Sequence, residues 1–322
     1  MSWICFIVAV SLVCAADEQR TTSRNCVKLQ TIRDGMSLVN MQLEALRDDV
    51  TQQHVNLEDE RRELSAHESQ TAALLESIER NQSQYQSDLI SLLNSFQILV
   101  SRPKNCKEVQ ALGREVTGVY LIYPHGDDVS LSVFCDMDTE GGGWTVFQRR
   151  QDGSVSFKRE WAEYRNGFGN LRGEHWLGNE HIHVMTASSA HEMRVELGSW
   201  ENERVYARYE RFAVGSETDG YRLTVGNYSG TAGGDSLGGI DHRDYQNGAK
   251  FSTRLRDNDH FPNFNCAQEY QSGFWFKKCF RASLNHPYVS RSSTRAWHGI
   301  IWSTYKGESY SLKFTELKMR PL

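Results

Sequence analysis

Long apolar runs are almost missing from this chain of 322 residues. The most prominent run, residues 3–14, is shorter than the roughly 20 apolar residues needed to cross a bilayer. It ends in two alanines followed by charged residues, the pattern of a secretory signal peptide; a buried strand or short anchor helix is the alternative. The sequence therefore predicts a signal peptide over residues 1–16 and a secreted, extracellular chain without membrane insertion.

Patterns typical of several other protein classes are missing as well. Lys and Arg do not cluster among aromatic residues, and the formal net charge is -5, so we do not expect nucleic acid as a partner. The sequence has no CxxC, no HExxH and no Gly-X-Y repeat, which argues against a thiolate zinc site, a zinc protease and a collagen stalk. The G-x-S-x-G match at residues 234–238 lies among turn-forming residues, so we expect no enzyme. His181 and His183, expected on a strand, lack a nearby third zinc ligand.

Cysteine is present in an odd number once the signal peptide is removed. Two of the seven cysteines lie in that peptide, which leaves five. Cys106 and Cys135 form one local pair, and Cys266 and Cys279 form another. Cys26 then has no partner within the chain, and this predicts a disulfide to another copy of the chain.

Two Asn-X-Ser sequences agree with secretion. They begin at Asn81 and Asn227. Such a tripeptide is the acceptor for N-glycosylation in secreted proteins, where the modified asparagine lies on the surface. We expect both asparagines to be surface residues that can carry glycans.

Residues 29–100 have the apolar spacing of a coiled coil, after an N-terminal segment at residues 17–28. From Leu29 to Val50 the apolar residues alternate steps of three and four. One of the two positions stays apolar to the end of the region except at Thr71, whereas the other turns polar at Gln53, Glu60, His67, Asn81 and Asp88. The region has no proline and is too long for one helix packed on a globular core, so we expect a parallel coiled coil between copies of the chain. The number of chains stays open.

The composition changes at residues 101–105, which we interpret as a linker. Pro103 disfavours helix in the residue before it. From residue 106 onward the chain is rich in Gly, Trp, Tyr and Phe, with short alternating runs such as VYLIY and MRVEL that predict strands. Residues 106–322 are enough for one further domain.

This last segment resembles the C-terminal domain of the fibrinogen-related proteins from Asn105 to Leu322. The resemblance is carried by the ordered blocks NCKEVQALG, GVYLIYP, VFCDMDTEGGGWTVFQRRQDGSVSF, YRNGFGN, EHWLGNEHIH, RDNDHFPNFNCA and YSLKFTELKMRP. It implies an α+β fold with three lobes: a small N-terminal lobe, a central lobe with a twisted antiparallel sheet, and a loop-rich C-terminal lobe. It also implies the Cys266–Cys279 disulfide and a cis peptide between Lys278 and Cys279.

The loop after Arg256 is the candidate calcium site. Asp257 and Asp259 stand two apart among turn-forming residues, where carboxylates and free carbonyls can converge on a hard cation. An EF-hand is excluded, because the sixth and twelfth loop positions are not Gly and Glu. The resemblance implies that Phe261 and Asn263 contribute carbonyl ligands to Ca²⁺, although this loop is one residue longer than the common family form. A solvated acidic turn is the alternative.

The resemblance also implies a pocket for acetyl groups beside the second disulfide. Tyr270 is the matching pocket wall, and the backbone from Lys278 to Cys279 supplies N–H groups for the acetyl oxygen. The chain departs from the family at Phe280, which replaces the usual His, and at Ala296, where an aromatic wall is expected but Trp297 stands next to it. The usual Asn-Gly is Asn285-His286 here. The alternative is that these aromatic residues only pack the lobe.

Two functions fit this combination of coiled coil and domain. The first is an oligomeric lectin of innate recognition that binds acetylated groups on glycans, with calcium supporting the pocket. The second is a signalling ligand, similar to the angiopoietin-related proteins, whose C-terminal domain binds a cell-surface receptor. The altered pocket residues favour the second function, whereas the two aspartates fit both.

Overall fold

A computed structural model describes residues 23–126, 129–239, 245–290 and 295–322, without the side chains of residues 23–26 and 97–99. The predicted signal peptide, residues 17–22 and the Cys26 side chain lie outside the described part. The chain divides into two compact units, with the boundary between Ser91 and Leu92.

Helix α1 covers Ser23–Ser101 and includes all of the segment predicted to form a coiled coil. The residue spacing explains its exposed apolar stripe, since side chains three and four apart share one helix face. Large apolar side chains along it, from Leu29 to Phe96, are exposed. The helix ends just before Pro103, as predicted. Within the described residues, no helix has both the length and the apolarity to cross a bilayer.

The second unit is built on an antiparallel sheet, as predicted. The strands are β1 (Gly118–Ile122), β2 (Leu131–Asp136), β3 (Trp144–Arg150), β4 (Phe168–Gly169), β5 (His175–Trp176), β6 (His191–Gly198), β7 (Arg204–Val214), β8 (Leu223–Gly230), β9 (Ala282–Ser283), β10 (Ile301–Trp302) and β11 (Phe314–Pro321). In the sheet they follow the order β1-β2-β3-β11-β6-β7-β8, with β5 also paired to β3 and β4 paired to β5. Strands β9 and β10 form a separate pair.

Short helices connect and cover the strands. They are α2 (Cys106–Ala111), α3 (Trp161–Asn166), α4 (Asn179–Ser188), α5 (Cys266–Glu269) and α6 (Ser303–Lys306), with 3₁₀ turns at Thr139–Gly141 and Glu217–Asp219. Helix α4 corrects one expectation, because His181 and His183 lie on it and not on a strand. Ile182 and Met185, three residues apart, are both buried, which is helical spacing.

Strand β11 lies in the middle of the sheet between β3 and β6. Leu317 on β11 is opposite Val195 of β6 on one side and Gln148 of β3 on the other. All three side chains are buried. In the part of the chain that the structure describes, β11 is therefore the strand that joins the two halves of the sheet.

Both predicted intrachain disulfides are present. Cys106 and Cys135 tie α2 to β2 with their Cα atoms 5.5 Å apart. Cys266 and Cys279 are joined with a Cα–Cα distance of 5.6 Å. These distances are within the usual range for disulfides.

A buried ammonium group neutralises carboxylates at the centre of the sheet. Lys318 of β11 forms ion pairs with Asp136 and, at 3.2 Å, with Glu316, and its side chain is only 2% exposed. Its Nζ also donates to Thr139 Oγ1 at 3.0 Å. Burial alone would raise the pKa of Asp136, but the charge and hydrogen bond of Lys318 lower it to about 2.

We expect Lys318→Met to destabilise the domain by about 3–5 kcal/mol, because it leaves buried carboxylates without their cation. Arg254→Met is the control, since Arg254 pairs with Glu160 on the surface and such pairs contribute about 0–1 kcal/mol. Urea unfolding followed by tryptophan fluorescence measures both variants. Equal losses in the two variants would show that the buried charge of Lys318 is not needed.

Candidate functional site

The acidic loop, residues 257–265, is held by hydrogen bonds from backbone amides to its two aspartates. Asp257 Oδ1 accepts from the amide of Asp259 at 3.1 Å. Asp259 accepts from Phe261 through Oδ1 and from Cys266 through Oδ2, both at 2.8 Å. The carboxylate of Asp259 thus links Phe261 and Cys266, which are five residues apart in sequence.

The Asp257 carboxylate lies close enough to Asp259 to affect the ionisation of Asp259. Burial raises the pKa of Asp259; the Cys266 and Phe261 amides oppose this effect, and the neighbouring Asp257 charge adds to it. No Lys or Arg of the described chain forms an ion pair with either aspartate. A hard cation would relieve this repulsion, so the donor set fits Ca²⁺.

Further oxygen ligands are available within the acidic loop. Asn263 has a φ of 62°, which turns the chain, and the Phe261 carbonyl accepts from Phe264 at 3.2 Å while keeping a second lone pair. In the described residues, no group of three or more His, Cys, Asp or Glu side chains could hold a metal. Any calcium site here therefore depends on two carboxylates completed by carbonyl and water oxygens.

Helix α5 connects the acidic loop with the predicted pocket. Asn265 caps it, accepting from the Gln268 amide at 2.8 Å. Its first residue, Cys266, is bonded to Asp259 and bridged to Cys279. Tyr270 follows the last helical residue and donates its amide to the Cys266 carbonyl at 3.0 Å. The position of Tyr270 is thus fixed relative to both the loop and Cys279.

Five rings form an aromatic cluster next to this helix: Tyr270, Phe276, Phe280, His286 and Trp297. The Tyr270 and Phe280 rings meet edge to face with centroids 4.9 Å apart, and Phe280 meets Trp297 at 5.4 Å. Tyr270 is half-buried, whereas Phe280 is buried. The structure therefore brings together Tyr270, Phe280 and Trp297, as the sequence suggested.

Two of the residues predicted to bind ligand have a smaller part in this arrangement. Ala296 is exposed and adds no ring, whereas Trp297 next to it contacts the ring of Phe280. Lys278 is half-buried, and its peptide bond to Cys279 is cis, as the resemblance implied. The amides of Cys279 and Phe280 donate to no other residue that the structure describes. Two free donors therefore belong to residues beside Tyr270.

His286 also belongs to the cluster, although in the sequence it stands out only as a departure from the usual Asn-Gly. Its ring is parallel to that of Tyr270, at 5.1 Å between centroids, and meets Phe280 at 4.7 Å. Nδ1 hydrogen-bonds to the Gly299 carbonyl at 3.0 Å, which leaves Nε2 without a partner in the described chain. Burial lowers the pKa of His286 to about 3. The imidazole is therefore neutral, and it supports both pocket walls.

The remaining candidates from the sequence are the two glycosylation sites and the serine of the G-x-S-x-G match. Asn81 lies on α1 and Asn227 on β8, and both are exposed. Ser236, of the G-x-S-x-G match, is buried and shares a hydrogen bond of 2.9 Å with the hydroxyl of Thr304. That contact ties a glycine-rich loop to α6, which is a structural role.

We expect acid to destabilise the domain partly through His286. The pKa of His286 is depressed in the folded chain. Between about pH 6.5 and 3 the unfolded chain therefore binds a proton that the folded chain does not, and stability decreases as the pH is lowered. From pH 8 to pH 5 this group alone accounts for about 2 kcal/mol. Unfolding free energies of wild type and His286→Phe at both pH values should differ by this amount in their pH dependence.

Phe276→Leu is the control, because it loosens the same cluster without removing a titrating group. It should lower stability equally at the two pH values. An unchanged pH dependence in His286→Phe would show that this imidazole does not oppose protonation.

Comparisons with known proteins agree with the fold of the second unit. The family model described as "Fibrinogen beta and gamma chains, C-terminal globular domain" matches residues 102–322. Fibrinogen C domain-containing protein 1-A of Xenopus laevis is 46% identical over 226 residues, which are 69% of this chain and 48% of that protein. The chain therefore spans about half the length of the curated relatives that it matches first.

Two solved structures are also similar. The fibrinogen-like globe domain of human ANGPTL2 is 35% identical with a TM-score of 0.63, covering 68% of this chain and 99% of that chain. A lamprey fibrin D-dimer, complexed with the peptide Gly-His-Arg-Pro-amide, is 30% identical with a TM-score of 0.64 and covers 94% of both chains. The resemblance found in the sequence is thus confirmed, and the chain belongs to the family that shares the fibrinogen C-terminal globular domain.

Proposed function

We propose that this chain is a secreted, self-associating lectin that binds acetylated groups of glycans at Tyr270 and Phe280, with Ca²⁺ supporting the site. The observation that carries the proposal is that the amides of Cys279 and Phe280 donate to no other residue of the described chain, beside the half-buried ring of Tyr270. Two amides can donate hydrogen bonds to one small polar oxygen, and two rings can pack against a methyl group. An acetyl group offers both.

The ligand contacts follow from the chemistry of these groups. The acetyl oxygen accepts from the amides of Cys279 and Phe280, and its methyl group packs on the rings of Tyr270 and Phe280. Phe280 offers no ring nitrogen where the family usually has His, so the side chains contribute shape and the backbone contributes the hydrogen bonds. Binding should depend on the acetyl group and little on the rest of the sugar.

Calcium acts on this pocket through α5. The carboxylates of Asp257 and Asp259 would hold the ion, with the carbonyls of Phe261 and Asn263 and water completing its oxygen shell. Asp259 also fixes the Cys266 amide, so ordering the acidic loop orders the disulfide and the neighbouring pocket wall.

Self-association would compensate for weak single sites. The exposed apolar stripe of α1 fits other copies of the same helix, and Cys26 would link the copies covalently. Tethered sites raise the effective concentration of the next binding event without any new contact. Exposed Asn81 and Asn227 are available for N-glycans in a secreted chain.

A receptor-binding ligand is the second candidate, and one surface favours it. Leu255, Phe261 and Phe264 are 74%, 40% and 37% exposed beside the aspartates. The two phenylalanine rings lie 5.0 Å apart. Exposed aromatic pairs of this kind are typical anchors of protein interfaces.

We expect calcium to stabilise the domain through Asp257. We expect a dissociation constant of roughly 10⁻⁴ to 10⁻³ M. Calcium at about ten times this constant then adds about 1.4 kcal/mol to the unfolding free energy. Asp257→Ala should lose this increment, whereas Asp219→Ala, on an exposed aspartate paired with Arg222, should keep it. Thermal unfolding with calcium and with chelator measures both. The same increment in Asp257→Ala would place the ion elsewhere.

We expect wild type to bind immobilised N-acetylglucosamine in calcium and to be displaced by free N-acetylglucosamine or acetate. Tyr270→Ala removes an aromatic wall and should weaken binding by about 1 kcal/mol or more. Phe280→His restores the usual family residue and should strengthen or broaden sugar binding. Removing calcium should weaken binding in wild type, because the acidic loop then no longer orders Cys266.

Phe264→Ala serves as the matched control, since it removes an exposed ring of the acidic loop outside the cluster. It should bind the sugar as wild type does. If millimolar acetylated ligands fail to compete and Tyr270→Ala behaves as wild type, the lectin function is wrong and the receptor-binding alternative replaces it.

A further inference from the structure

The downstream half of helix α1 offers two different apolar stripes for association. The helix is continuous from Ser23 to Ser101, so the spacing of its side chains can be followed without a break. Up to Leu64 the stripe alternates steps of three and four residues. Beyond Leu64, two stripes share Ile78, Tyr85, Leu92 and Leu99 but differ at every intervening position.

Continuing the upstream spacing gives a polar stripe. Its intervening residues are Leu74, Asn81, Asp88 and Ser95, of which only the leucine is apolar. In a parallel coiled coil each seam residue meets its own copies, so the carboxylate of Asp88 would face like charges. An N-glycan on Asn81 would also have to fit inside the seam.

The alternative stripe is markedly more apolar. Its intervening residues are Leu75, Gln82, Leu89 and Phe96, three of which are large and apolar. Leu75, Leu89 and Phe96 are 60%, 57% and 65% exposed. This stripe is reached when the seam takes two successive steps of four, from His67 to Thr71 and from Thr71 to Leu75.

We propose that the association seam of α1 changes phase once, between Leu64 and Leu75, and that the downstream half pairs through Leu75, Leu89 and Phe96. This inference rests on the self-association proposed above and specifies its surface. Two successive steps of four residues locally unwind the left-handed supercoil. The change moves Asn81 from the seam to its flank, where a glycan can project outward.

The occupant of this stripe is another copy of the same chain, parallel and in register. From Leu29 to Leu99 the stripe measures about 105 Å at 1.5 Å per residue. A partner with the same length, the same spacing and the same phase change is provided by an identical helix. A partner lacking the phase change would cover only one half of the stripe.

Disulfide cross-linking of the full-length chain tests the phase. Single cysteines are placed in a Cys26→Ser background at Leu89 or at Asp88. The alternative stripe brings copies of residue 89 together, whereas the unbroken stripe brings copies of residue 88 together. Leu43→Cys, in the upstream seam, is the positive control, and Asp48→Cys, on the outer face, is the negative control. Mild oxidation followed by non-reducing gels gives the rate of interchain bond formation.

We expect Leu89→Cys and Leu43→Cys to cross-link at least tenfold faster than Asp88→Cys and Asp48→Cys. A faster or equal rate for Asp88→Cys would show an unbroken heptad and overturn the phase change. The phase change is also wrong if neither downstream variant cross-links while Leu43→Cys does. Failure of Leu43→Cys would instead disprove the self-association itself, and the phase change with it.

Discussion

The hydrogen bond from the Cys266 amide to Asp259 is the contact on which the candidate site depends. Helix α5 has only four residues, and so short a helix has little stability of its own. Its position comes from Asp259 and Asn265 at one end and from the bridge to Cys279. Tyr270 follows directly, so the placement of a pocket wall is set by a carboxylate in the neighbouring acidic loop.

Much of the fold could be predicted because its signals are local. The alternation in VYLIY and MRVEL gave strands that became β1 and part of β6, and Pro103 marked the end of α1. A spacing of two places His181 and His183 on one face of a strand, so the local pattern favours a strand there. Burial of Ile182 and Met185 on one side, against the sheet, settles the segment as a helix.

The aromatic cluster is harder to foresee, since its members meet only in three dimensions. Tyr270, Phe280 and Trp297 could be chosen by resemblance, whereas His286 matches a family position that normally has no side chain. In this chain the imidazole is not lost from the region but is found behind the pocket wall, parallel to Tyr270 and shielded from solvent. In the proposed pocket, the wall would consequently be less polar, and the backbone would be the main source of hydrogen bonds.

The place of β11 in the sheet also determines when the domain can be completed. Among the described strands, β11 alone joins β1–β3 to β6–β8, and β3 precedes β11 by more than 150 residues in the chain. Until residue 321 has left the ribosome, β3 and β6 each present an unpaired inner edge. Sheets that depend on such distant pairing form slowly and expose edges that attract other chains. During synthesis, these two edges therefore stay open to pairing with other chains until the last strand arrives.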